Sequence, residues 1–238
     1  MEHFARLYQE SEPLAEAVAE YIGAGLRAGE AAVIIATRPH RLAIERRLGG
    51  AGLRGRLEVL DAEATLARFM VDGMPQWNAF REIVGGLIAE LRLQHPTVRA
   101  YGEMVDVLWQ RGERDAAIRL EEYWNELGKL QTFSLFCAYR MNPLDIDTYD
   151  GALQAVCKVH THLIPASDPE RFSEAVDTAS CKVLDQPLAQ ILLSLAANHR
   201  PATLMPGGQA TLLWLHQNMP RTAEKVLREL RSAASPAA

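Results

Sequence analysis

The first two-thirds of the chain alternate between short apolar runs and longer amphipathic stretches. The run 31–36, AAVIIA, is uninterrupted by polar residues, which is typical of a parallel strand covered on both faces. Elsewhere hydrophobic positions recur at helical spacing, as at Leu14, Val18 and Ile22, and Ser11 stands where a helix cap belongs. The pattern predicts strands at 3–7, 31–36, 56–60, 98–102 and 132–139, and helices at 13–28, 40–48, 61–69, 76–93, 105–110, 115–127 and 149–160.

This alternation of strands and helices predicts the fold class. It favours an α/β fold with a mostly parallel sheet flanked by helices, joined by right-handed crossovers. A turn-rich segment, PASDP at 165–169, is predicted to be a boundary, and beyond it the pattern is helical only. We therefore expect an α/β domain over residues 1–166 and a helical C-terminal extension over 167–238.

Composition and charge argue against several classes of protein. Of the 238 residues, 48% are hydrophobic and 23% charged, the balance of a folded globular chain. A formal net charge of −5 argues against a general nucleic-acid binder. The apolar runs are too short to span a bilayer, and the charged start, MEHFARLYQESE, does not fit a signal peptide. With three cysteines and no CxxC pair, the chain is expected in the reducing cytoplasm, without membrane contact.

Residues at the predicted strand ends are the candidates for chemistry. Glu103 directly follows the apolar strand 98–102, and in open parallel sheets ligands bind outside the carboxyl ends of strands. An acid placed there is expected to be partly buried and to need a partner. The other candidates near the carboxyl ends of the strands are Tyr8, Arg38, His40, Asp61, Trp109, Trp124, Tyr139 and Arg140. Purely structural interpretations stay open for them: a core ring for Tyr8 and Trp124, a helix cap for Asp61, and solvated side chains for Arg38, His40 and Arg140.

No catalytic or metal-binding motif accompanies these residues. The chain has no GxSxG, HExxH or GxGxxG segment. The segment CKVHTH at 157–162 does not have the spacing of a standard structural zinc site. The sequence therefore predicts no catalytic residue, no metal ligand and no cofactor.

Seven blocks of the chain together resemble a known family. In chain order they are HFARLY, AGLRAGEAAVIIATRPHR, LDAEATLARFMVDGMP, YGEMVDVLW, LEEYWNEL, FSLFCAY and VCKVHTHLIPA. Together, over about residues 3–166, they resemble the MEDS domain, the sensory domain named for methanogen and methylotroph proteins and for the dichloromethane-responsive regulator DcmR. The resemblance implies a fold related to the RecA-like ATPase KaiC and the sensing of small hydrocarbon derivatives. At the turn where KaiC-like enzymes hold phosphate, this chain has YQESEPLA, without glycine or lysine, so ATP hydrolysis is not expected.

The first hypothesis is thus a non-catalytic cytoplasmic sensor that binds a small-molecule ligand. Glu103 would anchor a polar group of the ligand, while Tyr8, Trp109 and Trp124 would shape the pocket. Residues 167–238 contain no recognisable phosphoacceptor helix or ATP-binding glycine boxes, so we expect the signal to pass to a protein partner, a regulator or kinase, or through homodimerisation of the C-terminal helices. Two alternatives remain: a pure protein-interaction module without ligand, and a hydrolase that uses Glu103 as base with Arg38 or His40 polarising the substrate.

Overall fold

The computed structural model describes residues 1–49, 52–166, 168–198 and 203–234. The chain divides into two compact units, Met1–Arg140 and Met141–Ala238. The predicted domain boundary between residues 166 and 167 falls beside Ser167, which lies outside the described residues, so that boundary stays a prediction. Each unit is described by itself below.

The first unit is built on a parallel sheet. Its sheet strands are β1 (His3–Tyr8), β2 (Ala31–Ala36), β3 (Leu57–Asp61), β6 (Val98–Gly102) and β7 (Ser134–Arg140), in the order β3-β2-β6-β7-β1. Every neighbouring pair in that order runs parallel. This confirms the predicted α/β class. A short antiparallel hairpin of β4 (Met70–Val71) and β5 (Met74–Pro75) is additional and was not predicted.

The helices of the first unit are α1 (Ser11–Arg27), α2 (Arg38–Leu48), α3 (Ala62–Ala67), α4 (Trp77–Phe80), α5 (Gly86–Arg92), α6 (Met104–Gln110) and α7 (Arg114–Leu130). A π-helical turn, Arg81–Gly85, joins α4 to α5, so the helix predicted over 76–93 is not uniform. At its end Gly85 lies against α7, where an added Cβ would approach Leu127 Cδ1 to 2.9 Å. A residue without a side chain permits this close approach of the two helices.

The core of the first unit follows the apolar pattern closely. All six residues of β2 are fully buried, as expected for a strand covered on both faces. Asp61 caps α3 as predicted, with its Oδ1 accepting from the backbone N of Ala64 at 3.0 Å. The predicted cap at Ser11 is wrong: Ser11 is the first residue of α1, and Glu10 occupies the cap position without a side-chain bond.

The second unit is mainly helical. Its elements are a π-helical segment (Thr148–Ala152), α8 (Leu153–Val159), β8 (His162–Ile164), α9 (Pro169–Val183), α10 (Gln186–Asn198), α11 (Gly207–Asn218) and α12 (Pro220–Ala234). The helix predicted over 149–160 is interrupted because Gly151 adopts a φ of 81°. The strand β8 was not predicted. Asp168 caps α9 through hydrogen bonds to the backbone N of Glu170 and of Arg171.

Across the residues that the structure describes, none of the helices combines the length and apolarity needed to traverse a bilayer.

Candidate functional site

The topology of the sheet places a crevice between β2 and β6. These strands are neighbours, but the chain leaves β2 through α2 toward β3 and leaves β6 through α6 and α7 toward β7 on the other side. In open α/β sheets such a reversal of strand order is where ligands bind, outside the carboxyl ends of the strands. Thr37 and His40 follow β2, and Glu103 follows β6, so all three residues lie at this reversal.

Glu103 is a buried carboxylate whose two oxygens are both occupied. Its Oε2 accepts from the backbone N and the hydroxyl of Thr37, each at 2.9 Å. Its Oε1 accepts from the Tyr101 hydroxyl at 2.7 Å and contacts His40 Nδ1 at 2.8 Å. Only 1% of Glu103 is exposed. The partial burial that the sequence predicted is therefore accompanied by four hydrogen bonds. Such bonds offset the desolvation cost of burying a carboxylate.

His40 connects this buried acid to the surface. Its Nδ1 faces Glu103, and its Nε2 lies 2.9 Å from the hydroxyl of Ser11, which is exposed. The hydrogen bond to Glu103 raises the pKa of His40, while burial opposes that change. Glu103 thus orients His40, and His40 presents its second nitrogen toward the Ser11 hydroxyl at the start of α1.

A second hydrogen-bonded group lies beside the first. Tyr8 packs its ring edge-on against His40, with centroids 5.7 Å apart, and donates its hydroxyl to Asp106 Oδ2 at 2.6 Å. The other oxygen of Asp106 accepts from the backbone N of Arg140 at 2.9 Å and from Gln110 at 3.0 Å. Burial raises the pKa of Asp106, and the same cause raises the pKa of Tyr8. Asp106 therefore joins the ends of β1 and β7 to α6.

The structure brings together three of the six predicted site residues, Tyr8, His40 and Glu103. Together with Ser11, Thr37, Tyr101 and Asp106 they form the His40–Glu103 cluster. Arg38 is exposed at the start of α2. Trp109 is half-buried and edge-on to Tyr139, and the Arg114 guanidinium lies 5.4 Å from its ring centroid. Trp124 is 1% exposed and packs against Phe80 and Phe133, so it belongs to the core and not to the cluster.

Sequence reasoning did not single out four members of the cluster: Ser11, Thr37, Tyr101 and Asp106. Thr37 and Tyr101 carry a readable signal, since Thr37 directly follows an apolar strand and Tyr101 lies two residues before Glu103 on β6. Asp106 also had a signal, as an acid among the apolar residues of MVDVLW. Ser11 was assigned to capping, and nothing local indicates its contact with a residue 29 positions away.

The histidine-rich segment of the second unit forms local contacts. His160 Nδ1 lies 2.7 Å from the carbonyl of Val156, and His162 Nδ1 lies 2.9 Å from the Thr161 hydroxyl. His160, Thr161 and His162, together with Cys157, line a cavity of about 610 Å³.

Comparison with known proteins adds one finding. The sequence model described as "MEDS: MEthanogen/methylotroph, DcmR Sensory domain" matches residues 2–161 of the chain. Neither a curated protein nor a solved structure matches the chain.

Proposed function

The chain belongs to the MEDS family of sensory domains, and from that membership we propose that it is a non-catalytic sensor whose small-molecule ligand binds at the His40–Glu103 cluster. The observation that carries the proposal is the position of His40 between a buried acid and an exposed hydroxyl. Glu103 uses both oxygens within the protein, so the polar group of a ligand would be met by His40 Nε2 and Ser11.

The ligand class follows from the chemistry of these groups. His40 Nε2 can donate or accept one hydrogen bond, and the Ser11 hydroxyl can donate one and accept up to two, which suits a small organic molecule with a single polar end. A triphosphate suits the site poorly because Glu10 and Glu12 stand next to Ser11 and the turn contains no glycine or lysine. A hydrocarbon derivative with one polar or halogen substituent is therefore the proposed ligand.

The signal is proposed to leave through protein contacts of the helical C-terminal region, in a homodimer or with a regulator or kinase. Helix α10 presents Leu188, Ile191 and Leu195 at helical spacing, and these side chains are 40%, 58% and 50% exposed. An apolar face of this kind supports association with another protein surface. A ligand can drive such a change only through different affinities for two conformations.

Thermal unfolding of the full chain tests ligand binding. The probes are dichloromethane, methanol, acetate and ATP with Mg²⁺, each titrated against the wild type, His40→Gln and the control His95→Gln. His95 contacts the carbonyl of Gly29 and is not part of the cluster. We expect an organic probe to raise the melting temperature of the wild type and of His95→Gln, and to do so much less for His40→Gln. An equal rise in all three proteins, or a rise with ATP alone, contradicts the proposed site.

One observation favours a hydrolase as the second candidate. Ser11 Oγ, His40 and Glu103 are linked in the order of a nucleophile, a base and an orienting acid, at 2.9 and 2.8 Å. In that scheme His40 would be the base, and Glu103 would orient it. Two features place the hydrolase second: Glu10 and Glu12 flank Ser11 with negative charge, and Pro13 removes a backbone N–H from the first turn of α1.

A fluorophosphonate probe, which labels activated serines, separates the two candidates. If the protein is a non-catalytic sensor, the probe should label the wild type no more than it labels Ser11→Ala. Labelling of Ser11 that disappears in His40→Gln, together with turnover of a p-nitrophenyl ester, would establish the hydrolase instead.

A further inference from the structure

A second polar cluster lies inside the first unit and shares no residue with the His40–Glu103 cluster. His3 is on β1, Cys137 is on the neighbouring strand β7, and Glu121 is on α7. In the register of the two strands Ala5 pairs with Cys137, so His3, two residues earlier, points to the same face of the sheet. His3 is 1% exposed, and Glu121 and Cys137 are completely buried.

The three side chains converge on one point. His3 Nε2 lies 3.1 Å from Glu121 Oε2 and 3.4 Å from Cys137 Sγ. Cys137 Sγ lies 3.6 Å from the same oxygen of Glu121. One nitrogen, one oxygen and one sulfur thus form a nearly equilateral triangle in the interior of the protein.

These separations are close to those in a tetrahedral zinc site. Zinc bonds of about 2.0–2.3 Å to nitrogen, oxygen and sulfur place the donor atoms roughly 3.4–3.6 Å apart. The observed edges of 3.1, 3.4 and 3.6 Å would have to change by only about 0.3 Å or less. The thiolate donor favours zinc or another transition metal over magnesium or calcium.

The surroundings hold the three donors in an orientation suited to a metal. His3 Nδ1 lies 3.0 Å from Asn125 Oδ1, a contact that places the ring proton on Nδ1 and leaves the lone pair of Nε2 toward Glu121 and Cys137. The other carboxylate oxygen of Glu121 accepts from the Tyr139 hydroxyl at 2.6 Å. Metal-binding histidines and carboxylates are characteristically supported by such outer hydrogen bonds.

We propose that His3, Glu121 and Cys137 bind a transition-metal ion, with zinc the best fit. A divalent cation placed between these three atoms would contact the nitrogen, the oxygen and the sulfur at once. Because the donors are buried, the ion enters as the unit folds and adds its binding free energy to stability.

Sequence reasoning predicted no metal ligand, and the positions explain why. The ligands stand at 3, 121 and 137, and only the pairing of β1 with β7 and the packing of α7 bring them together. No spacing rule for zinc motifs applies to such a set.

Cobalt binding to the full chain tests the proposal. The protein is unfolded and stripped with a chelator, the chelator is removed, and the chain is refolded at increasing concentrations of Co²⁺ alone. We expect one ion per chain and a thiolate-to-cobalt charge-transfer absorption in the near ultraviolet. The chain has three cysteines, so the double variant C157S/C181S leaves Cys137 as the only thiol and must keep that absorption. Cys137→Ser must lose it, and His3→Gln must weaken binding at least tenfold.

X-ray absorption of the wild type loaded with Zn²⁺ serves as the second measurement, because variants of a buried cluster can fail to fold. We expect one sulfur among the donors, together with nitrogen and oxygen. A zinc shell without sulfur, less than stoichiometric binding, or a charge-transfer band that is absent from C157S/C181S overturns the proposal. Each of these results leaves ligand binding at His40 unaffected, since the two clusters have no residue in common.

Discussion

His40 Nδ1 lies 2.8 Å from Glu103 Oε1, and this contact joins helix α2 to the end of strand β6. It connects residues 63 positions apart in the chain and lies where the order of the strands reverses. The protonation of His40 should therefore contribute to the stability of the first unit.

The pKa of His40 predicts how stability changes with pH. Its folded value lies above the ordinary 6.5, so the folded state binds the proton more tightly than the unfolded state does. The stabilisation from this group is complete below about pH 6.5 and is lost as the pH rises through the folded pKa. Urea denaturation between pH 6 and pH 9 should show the free energy of unfolding decreasing, and His40→Gln should reduce that slope. An equal slope in the variant assigns the effect to another group.

Removing one hydroxyl tests how Glu103 is held. Tyr101→Phe deletes a 2.7 Å hydrogen bond to a buried carboxylate and should lower the free energy of unfolding by about 1.5–3 kcal/mol. Tyr123→Phe is the matched control, because the Tyr123 hydroxyl donates to the neutral carbonyl of Pro75 at 3.2 Å. Its cost should be about 0.5–1.5 kcal/mol. Equal costs in urea denaturation would contradict a stronger hydrogen bond to Glu103 than to the Pro75 carbonyl.

Two glycine substitutions should have opposite effects. Gly86 is exposed in a helix with no atom within 4 Å of an added Cβ, so Gly86→Ala should stabilise the fold by about 0.5–1 kcal/mol. At Gly55 an added Cβ would collide with the backbone oxygen of Glu30, and Gly55→Ala should destabilise by about 1–3 kcal/mol. Thermal unfolding of both variants measures the difference. A stable Gly55→Ala would mean that the loop before β3 moves away from Glu30.

The exposed face of α10 predicts self-association. Ile191→Glu should shift the chain toward monomer in sedimentation velocity and change the free energy of unfolding by less than about 0.5 kcal/mol. Leu93→Glu is the control, since Leu93 is 85% exposed at the end of α5. If both variants sediment like the wild type, association does not use the α10 face.

The sequence predicted the parallel sheet because strands covered on both faces, such as Ala31–Ala36, carry an unmistakable apolar run. It also predicted that Glu103 is at least partly buried, since this acid stands between an apolar strand and an apolar helix. Both inferences depend on neighbours along the chain. For that reason they were accessible without the structure.

The contacts around that acid were less accessible. The contacts of Ser11 with His40 and of Tyr8 with Asp106 span 29 and 98 residues, and only the order of the strands creates them. Trp124 shows the reverse case, because its helical spacing fitted both a core position and a pocket wall, and packing decided for the core. Periodicity reports which face of a helix is buried, but not what lies against it.

The pairing of Thr37 and His40 on one carboxylate has a mechanical consequence. Both residues stand at the beginning of α2, so the hydrogen bonds to Glu103 fix the first turn of that helix. At the far end of α2, Arg47 pairs with Glu12 of α1. A molecule that takes the imidazole from the acid would remove one of the three contacts that fix this end of α2, whereas the Arg47–Glu12 pair at the other end would stay in place.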